Sequence, residues 1–300
     1  MERRQLGNTG LRVPVFGVDT SAWPHHMTDE EARKIIHGFL DMGSGLVDLP
    51  NRNPDYHSET LIGEELRRRT YSRDDLILSL ASGYRPHAPA GFRIDCSRRS
   101  LLQQLDTSLR CLGTDFVDIW TIAYWDEHTP LTELWATMHY VLNSGRARYV
   151  AVHGFHGWQL ALISAQTSES IACQSEYSLL QRNAEAELWP AAHYLQSGMI
   201  ATRPLALGAL AQPWRKLSPQ PEAHPYLNDR AHTILDALET AAEGLGSTLA
   251  TTALSWVKDQ PGMSTCLVGV SKEDQLISVQ EAGEQKLPRQ ILAALDDVSQ

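Results

Sequence analysis

The chain has 300 residues, 42% hydrophobic and 21% charged, a globular composition that excludes disordered, collagenous and mainly coiled-coil proteins. Asp and Glu number 36 against 26 Lys and Arg, and the formal net charge of −10 leaves no electrostatic footprint for nucleic acid. No stretch approaches the roughly 18 apolar residues of a membrane span, and Met1-Glu2-Arg3-Arg4-Gln5-Leu6 has no apolar run behind it, so a cytoplasmic protein without membrane or nucleic-acid partners is expected.

Short apolar or β-branched runs alternate with longer amphipathic segments along the chain. Run 13–18 precedes a helical pattern over 28–42, where Thr28-Asp29-Glu30-Glu31 reads as a capping box. Runs 45–49, 76–80, 116–122 and 147–152 are followed in turn by helical patterns over 58–69, 96–112, 131–143 and 158–165. Runs 171–174, 199–202 and 264–268 make eight in all. Strands that alternate with helices pair in parallel through right-handed crossovers, so the expected fold is α/β, a single (β/α)8 TIM barrel spanning 1–300. An open doubly wound sheet competes, but Gly17-Val18-Asp19-Thr20 is not its Gly-rich turn. Segment 212–228, with Pro213, Pro219, Pro221 and Pro225, reads as a loop over the barrel mouth. Cys96, Cys111, Cys173 and Cys266 show neither paired nor zinc-ligand spacing and read as reduced, buried thiols; no metal is expected.

Leu6-Gly7-Asn8-Thr9-Gly10-Leu11, Ser58-Glu59 with Ile62-Gly63, Arg73-Asp74-Asp75, Leu112-Gly113-Thr114-Asp115 with Asp118, Gln174-Ser175-Glu176-Tyr177-Ser178-Leu179-Leu180, and Gly269-Val270-Ser271 with Gln275-Leu276 occur in this order. Together they resemble the aldo-keto reductases, NADPH-dependent (β/α)8 barrels. The resemblance implies an opening β-hairpin and a C-terminal helical extension. It also implies a redox set: an Asp ending strand two, a Tyr five residues later, a Lys ending strand three and a His ending strand four. Here those positions hold Asp48, Asn53, Ala81 and Ala123. In the family the Tyr protonates the alkoxide left by hydride delivery, with the Lys ammonium lowering its pKa and the His orienting the substrate oxygen.

Cofactor positions implied by the resemblance include Gln174, with Ser271, Lys272 and Gln275 at the adenosine end. His153-Gly154 stands where Ser-Asn is common, Thr202-Arg203 where an aromatic and Ser are common, Leu207 where a Gly often admits phosphate, and Val279 where an Asn is usual. These substitutions weigh against NADPH without excluding it.

Residues just past each run face one mouth in such a barrel. Asp19, Asp48 and His153 are the candidate acid and base set, joined by Asn53, Tyr56 and Tyr124. Arg203 is placed to bind an oxygen-rich or anionic substrate, or to pair with Asp19 or Asp48, with Trp23, Trp125 and Trp214 as an apolar wall. The leading expectation is a non-redox enzyme, a lyase, isomerase, cyclase or hydrolase acting on a small molecule by acid and base catalysis. Two alternatives stand beside it: a non-catalytic NADPH-sensing or regulatory subunit with a protein partner, and an NADPH-dependent reductase whose acid has moved to Tyr56.

Overall fold

Pro14 has no N–H to give a sheet, and it divides the first apolar run in two. Residues on its N-terminal side form a hairpin, β1 (Arg3–Gln5) with β2 (Arg12–Pro14), and those beyond it form β3 (Phe16–Asp19). Val15 is the joint: its N–H donates to Glu2 in the hairpin, while its carbonyl accepts from Cys266 in the barrel. The hairpin tip lies against the barrel floor, where Gly7 has φ of 55° and an added Cβ would come within 2.2 Å of the Gly198 nitrogen. A computed structural model describes residues 1–23, 27–50, 54–213 and 225–300.

From β3 the chain alternates strand and helix as the runs predict. In order come α1 (Asp29–Asp41), β4 (Leu46–Leu49), α2 (His57–Arg68), β5 (Ile77–Ser82), α3 (Arg98–Leu112), β6 (Val117–Ile122), α4 (Leu131–Asn143), β7 (Ala147–His153) and α5 (Gly157–Ser164). There follow β8 (Ile171–Glu176), α6 (Leu188–Tyr194), β9 (Met199–Thr202), α7 (Asp229–Leu245), α8 (Leu249–Lys258), β10 (Met263–Gly269), α9 (Gln275–Glu284) and α10 (Arg289–Ser299). The eight strands β3 to β10 are parallel and close into a barrel in which β10 pairs with both β9 and β3. Thr28 and Glu31 form the capping box of α1. Most of the proline-rich segment, 214–224, lies outside the described residues.

Each strand points alternate side chains to opposite faces of the sheet. Val47 and Leu49, Leu78 and Leu80, Trp120 and Ile122, and Val150 and Val152 face outward into the large core under the helices. Leu46, Ile119, Ala151, Ala172, Ile200 and Leu267 face inward and form a separate cluster, plugged from below by Leu6 and Val13 of the hairpin. Continued by two residues, five of these six inward rows carry polar side chains toward the C-terminal end of the barrel: Asp48, Thr121, His153, Gln174 and Thr202.

Several motif residues are structural ties. Arg73, on the turn before β5, donates to the carbonyl oxygens of Leu76 and Phe116 and pairs with Asp118 of β6 at 2.7 Å. Asp118 in turn accepts the Leu78 N–H. Arg33 of α1 bridges to Glu65 of α2 at 2.8 Å. Cys96, Cys173 and Cys266 are buried free thiols, each pushed up to about 12 by burial, whereas Cys111 is only half-buried, a correction to the expectation that all four are buried. No helix among the described residues is long and apolar enough to cross a membrane.

Glu59 in the first turn of α2 is 4% exposed and accepts a hydrogen bond from Ser108 of α3. Burial disfavours its charged form and raises its pKa from 4.5 to about 7, against the opposing hydrogen bonds. Between those two values the folded protein holds a proton that the unfolded chain has released. Stability is therefore expected to fall as pH rises from about 4.5 to about 7, by on the order of 3 kcal/mol in total. Glu59→Gln should flatten that part of the wild-type pH profile in urea titrations. Equal slopes for the two proteins would contradict the assignment.

Candidate active site

The upper inward layer of the barrel lines a cavity of about 110 Å³. Asp19, Asp48, Ala81, Ala123, His153, Gln174, Glu176 and Thr202 all face it, because each continues the inward row of its strand. Asp19 and Asp48 are neighbours in the register of β3 and β4, and Asp48 is opposite Ser79 of β5. Ser79 donates its hydroxyl proton to Asp48 Oδ1 at 2.7 Å, and the Gln174 amide donates to Oδ2 at 3.4 Å. Asp19 Oδ1 accepts the Ser21 N–H at 2.8 Å, which holds it in a tight local turn.

On β7, beside Gln174 in register, His153 Nδ1 lies 3.2 Å from the Ala123 carbonyl oxygen. A carbonyl only accepts, so Nδ1 is the protonated nitrogen and Nε2 the one able to exchange a proton. Tyr124 meets the imidazole edge-on at 5.8 Å between centroids, and Tyr84 tilts against Tyr124 at 5.5 Å. The three rings form one continuous face. Arg203 lies 3.6 Å from Glu176, whose other oxygen accepts from the Tyr226 hydroxyl.

The structure thus brings together Asp19, Asp48, Tyr124, His153, Gln174 and Arg203 from the sequence-based set. Arg203 pairs with Glu176 and not with the aspartates, because β8 runs two residues past the predicted run and ends on that carboxylate. Trp23 is 1% exposed: its backbone N–H closes a turn onto the Thr20 carbonyl, and its side chain packs in the core instead of the mouth. Trp125 packs edge-on against Phe155 and Trp158, outside the cavity lining. Tyr56 lines a separate recess, and burial raises its pKa. Asn53 and Trp214 lie outside the described residues. Sequence reasoning missed Tyr84, Ser79 and Glu176. Strand periodicity reaches Ser79 and Glu176, but Tyr84 follows Gly83 beyond the end of β5, where no periodic signal continues.

Ser271, Lys272 and Gln275 occupy the turn from β10 into α9, where the side-chain Oε1 of Gln275 accepts the backbone N–H groups of Ser271 and Lys272. The turn after β9 has left-handed backbone at Arg203, Ala206, Leu207 and Gly208, with φ of 50°, 46°, 55° and 90°. Leu207 therefore adopts the conformation that a Gly supplies without strain. Among the described residues no three His, Cys, Asp or Glu side chains converge as a metal site.

The model of the aldo/keto reductase family matches residues 15–300. Along 99% of its length the chain is 28% identical to the uncharacterized oxidoreductase YrpG of Bacillus subtilis (strain 168), covering 96% of that protein. It is 25% identical to versiconal hemiacetal acetate reductase of Aspergillus parasiticus, over 99% of the chain and 96% of that enzyme. It is 29% identical to L-glyceraldehyde 3-phosphate reductase of Escherichia coli O157:H7, over 92% of the chain and 86% of that enzyme. These matches overturn the expectation of a lyase, isomerase, cyclase or hydrolase, since family and relatives alike are reductases or oxidoreductases. The step from altered positions to abandoned redox chemistry fails because a proton donor is defined by what faces the reacting atom, not by the strand that carries it.

The Ser79–Asp48 bond is buried. Ser79→Ala is expected to cost about 1–3 kcal/mol of unfolding free energy in urea titration, since Asp48 would lose a short donor with little access to water. A loss below about 0.5 kcal/mol would show that Ser79 does not hold Asp48 in place.

Proposed function

The chain belongs to the aldo/keto reductase family, and on that premise we propose that it is an NADPH-dependent carbonyl reductase whose proton donor is His153. The observation that carries this reading is the shared cavity, which His153, Tyr124 and Tyr84 line together with Asp48 and Gln174. The donor set fits a nicotinamide cofactor. Gln174 offers a carboxamide in the barrel wall, and the left-handed turn around Leu207 keeps open backbone where phosphates need close approach, since a Cβ on Gly208 would meet nothing within 4 Å. Ser271 and the exposed Lys272 are the residues for a phosphate at the adenosine end. When bound, NADPH supplies a hydride to a carbonyl carbon.

The protein's own part is to hold the carbonyl and deliver a proton to its oxygen. His153 is fixed through Nδ1 by the Ala123 carbonyl, so its other nitrogen, when protonated, donates without reorienting the ring. Tyr124 restrains the imidazole from its edge, and Tyr84 backs Tyr124. Asp48, oriented by Ser79 and Gln174, presents its carboxyl group to the same cavity. Ala81 and Ala123 leave room for the carbonyl between these groups.

Steady-state oxidation of NADPH with a short aldehyde tests the assignment. His153→Asn is expected to lower kcat by about 10²–10⁴-fold, the usual contribution of a positioned acid. Tyr124→Phe keeps the ring contact and should lose less than about tenfold. Full activity of His153→Asn, or the absence of NADPH-dependent reduction in the wild type, would refute the reading.

A further inference from the structure

The loop from β5 to α3 is a short ribbon. Tyr84 bridges Ile94, the Arg85 N–H donates to the Arg93 carbonyl, and the Asp95 N–H donates to the Gly83 carbonyl. These ties fix Tyr84 at the rim, where it lines two spaces: the 110 Å³ mouth and a recess of about 680 Å³ between the ribbon and the start of α3. Tyr84 is the residue the two spaces share. The mouth is the smaller of the two and suits the reacting end of a substrate, while the recess has room for a larger remainder.

Its chemistry is mixed and electrically balanced. Tyr56 and Tyr84 give aromatic walls, and Arg85 is paired with Asp95 at 3.0 Å. Arg99 and Gln103, one turn apart on α3, add a guanidinium and a carboxamide, and Asp55 adds a carboxylate. Aromatic faces suit the flat side of a ring, while a guanidinium, an amide and a carboxylate together satisfy hydroxyl groups that both donate and accept. A phosphate or carboxylate group would meet Asp55 and Asp95 as like charges.

We infer that this recess is the second half of the substrate site, taking a neutral hydroxylated ring joined to the reacting carbonyl. The inference rests on the reductase reading for the carbonyl end alone. The ring has two chemical sources, a sugar unit or a phenol, which the test separates.

The variant is Arg99→Ala with Gln103→Ala, two exposed positions whose loss leaves the core intact. Calorimetry follows wild type and variant binding two unreactive alcohols, 2-(β-glucosyloxy)ethanol and 3-(4-hydroxyphenyl)propan-1-ol. At least one is expected to bind the wild type and to weaken about tenfold or more in the variant, and the one that weakens identifies the ring. In parallel, the matching aldehydes should lose kcat/KM by a similar factor through KM, with butanal unchanged. Binding that weakens while no aldehyde is reduced would uphold the recess and refute the reductase reading. Reduction of all aldehydes with the variant indistinguishable from wild type, or no binding of either alcohol, would overturn the recess.

Discussion

Alternation along the barrel strands is the constraint on which the site depends. A parallel strand covered by helices must put one row of side chains outward, and Val47, Leu49, Leu78, Leu80, Trp120 and Ile122 occupy that row as fully buried hydrophobes. Slipping any strand by one residue would bury its polar row among the helices and expose its apolar row to the barrel lumen. The same register that protects this core therefore fixes Asp48, His153 and Gln174 in the lumen. Their placement is enforced by burial of side chains that never approach a substrate, each worth about 1.5–3 kcal/mol.

Closure supplies the second requirement. Asp48, on β4, receives its hydrogen bonds from β5 and from β8, across the barrel. His153 on β7 leans on the carbonyl that ends β6. An open sheet would leave β4 and β8 too far apart for such contacts. The loops then add what the barrel cannot: the ribbon carrying Tyr84, and the turn after β9, where Ala206 and Leu207 hold left-handed backbone at an energetic cost. Non-glycine residues kept in that conformation accompany functional turns more often than plain connections.

Much of this was legible in the residues. The eight runs located the eight barrel strands, and the helical patterns located α1 to α5 within a residue or two, because period and capping are local properties. The break at Pro14 was missed because an apolar run looks the same whether it belongs to one sheet or two. The motifs around Arg73, Asp118 and Glu59 mark packing ties as much as ancestry, since their side chains hold neighbouring elements together. The candidate site was harder to read. Strand-end position placed Asp19, Asp48 and His153 at the mouth and the family resemblance added Gln174, yet neither said anything about Tyr84 on an irregular ribbon or about Trp23 turning into the core. Chemistry was misjudged for a related reason: Ala81 and Ala123 were weighed position by position, whereas the aromatic face beside them exists only once three strand ends are assembled.

The direct test of the account is the fate of one hydrogen. With NADPH carrying deuterium at the transferring C4 position and an unlabelled aldehyde as substrate, mass spectrometry of the alcohol reports where the label goes. The account predicts one deuterium on the carbinol carbon per turnover, with the hydroxyl proton drawn from solvent through His153. Conversion of the substrate with no label in the product would contradict it.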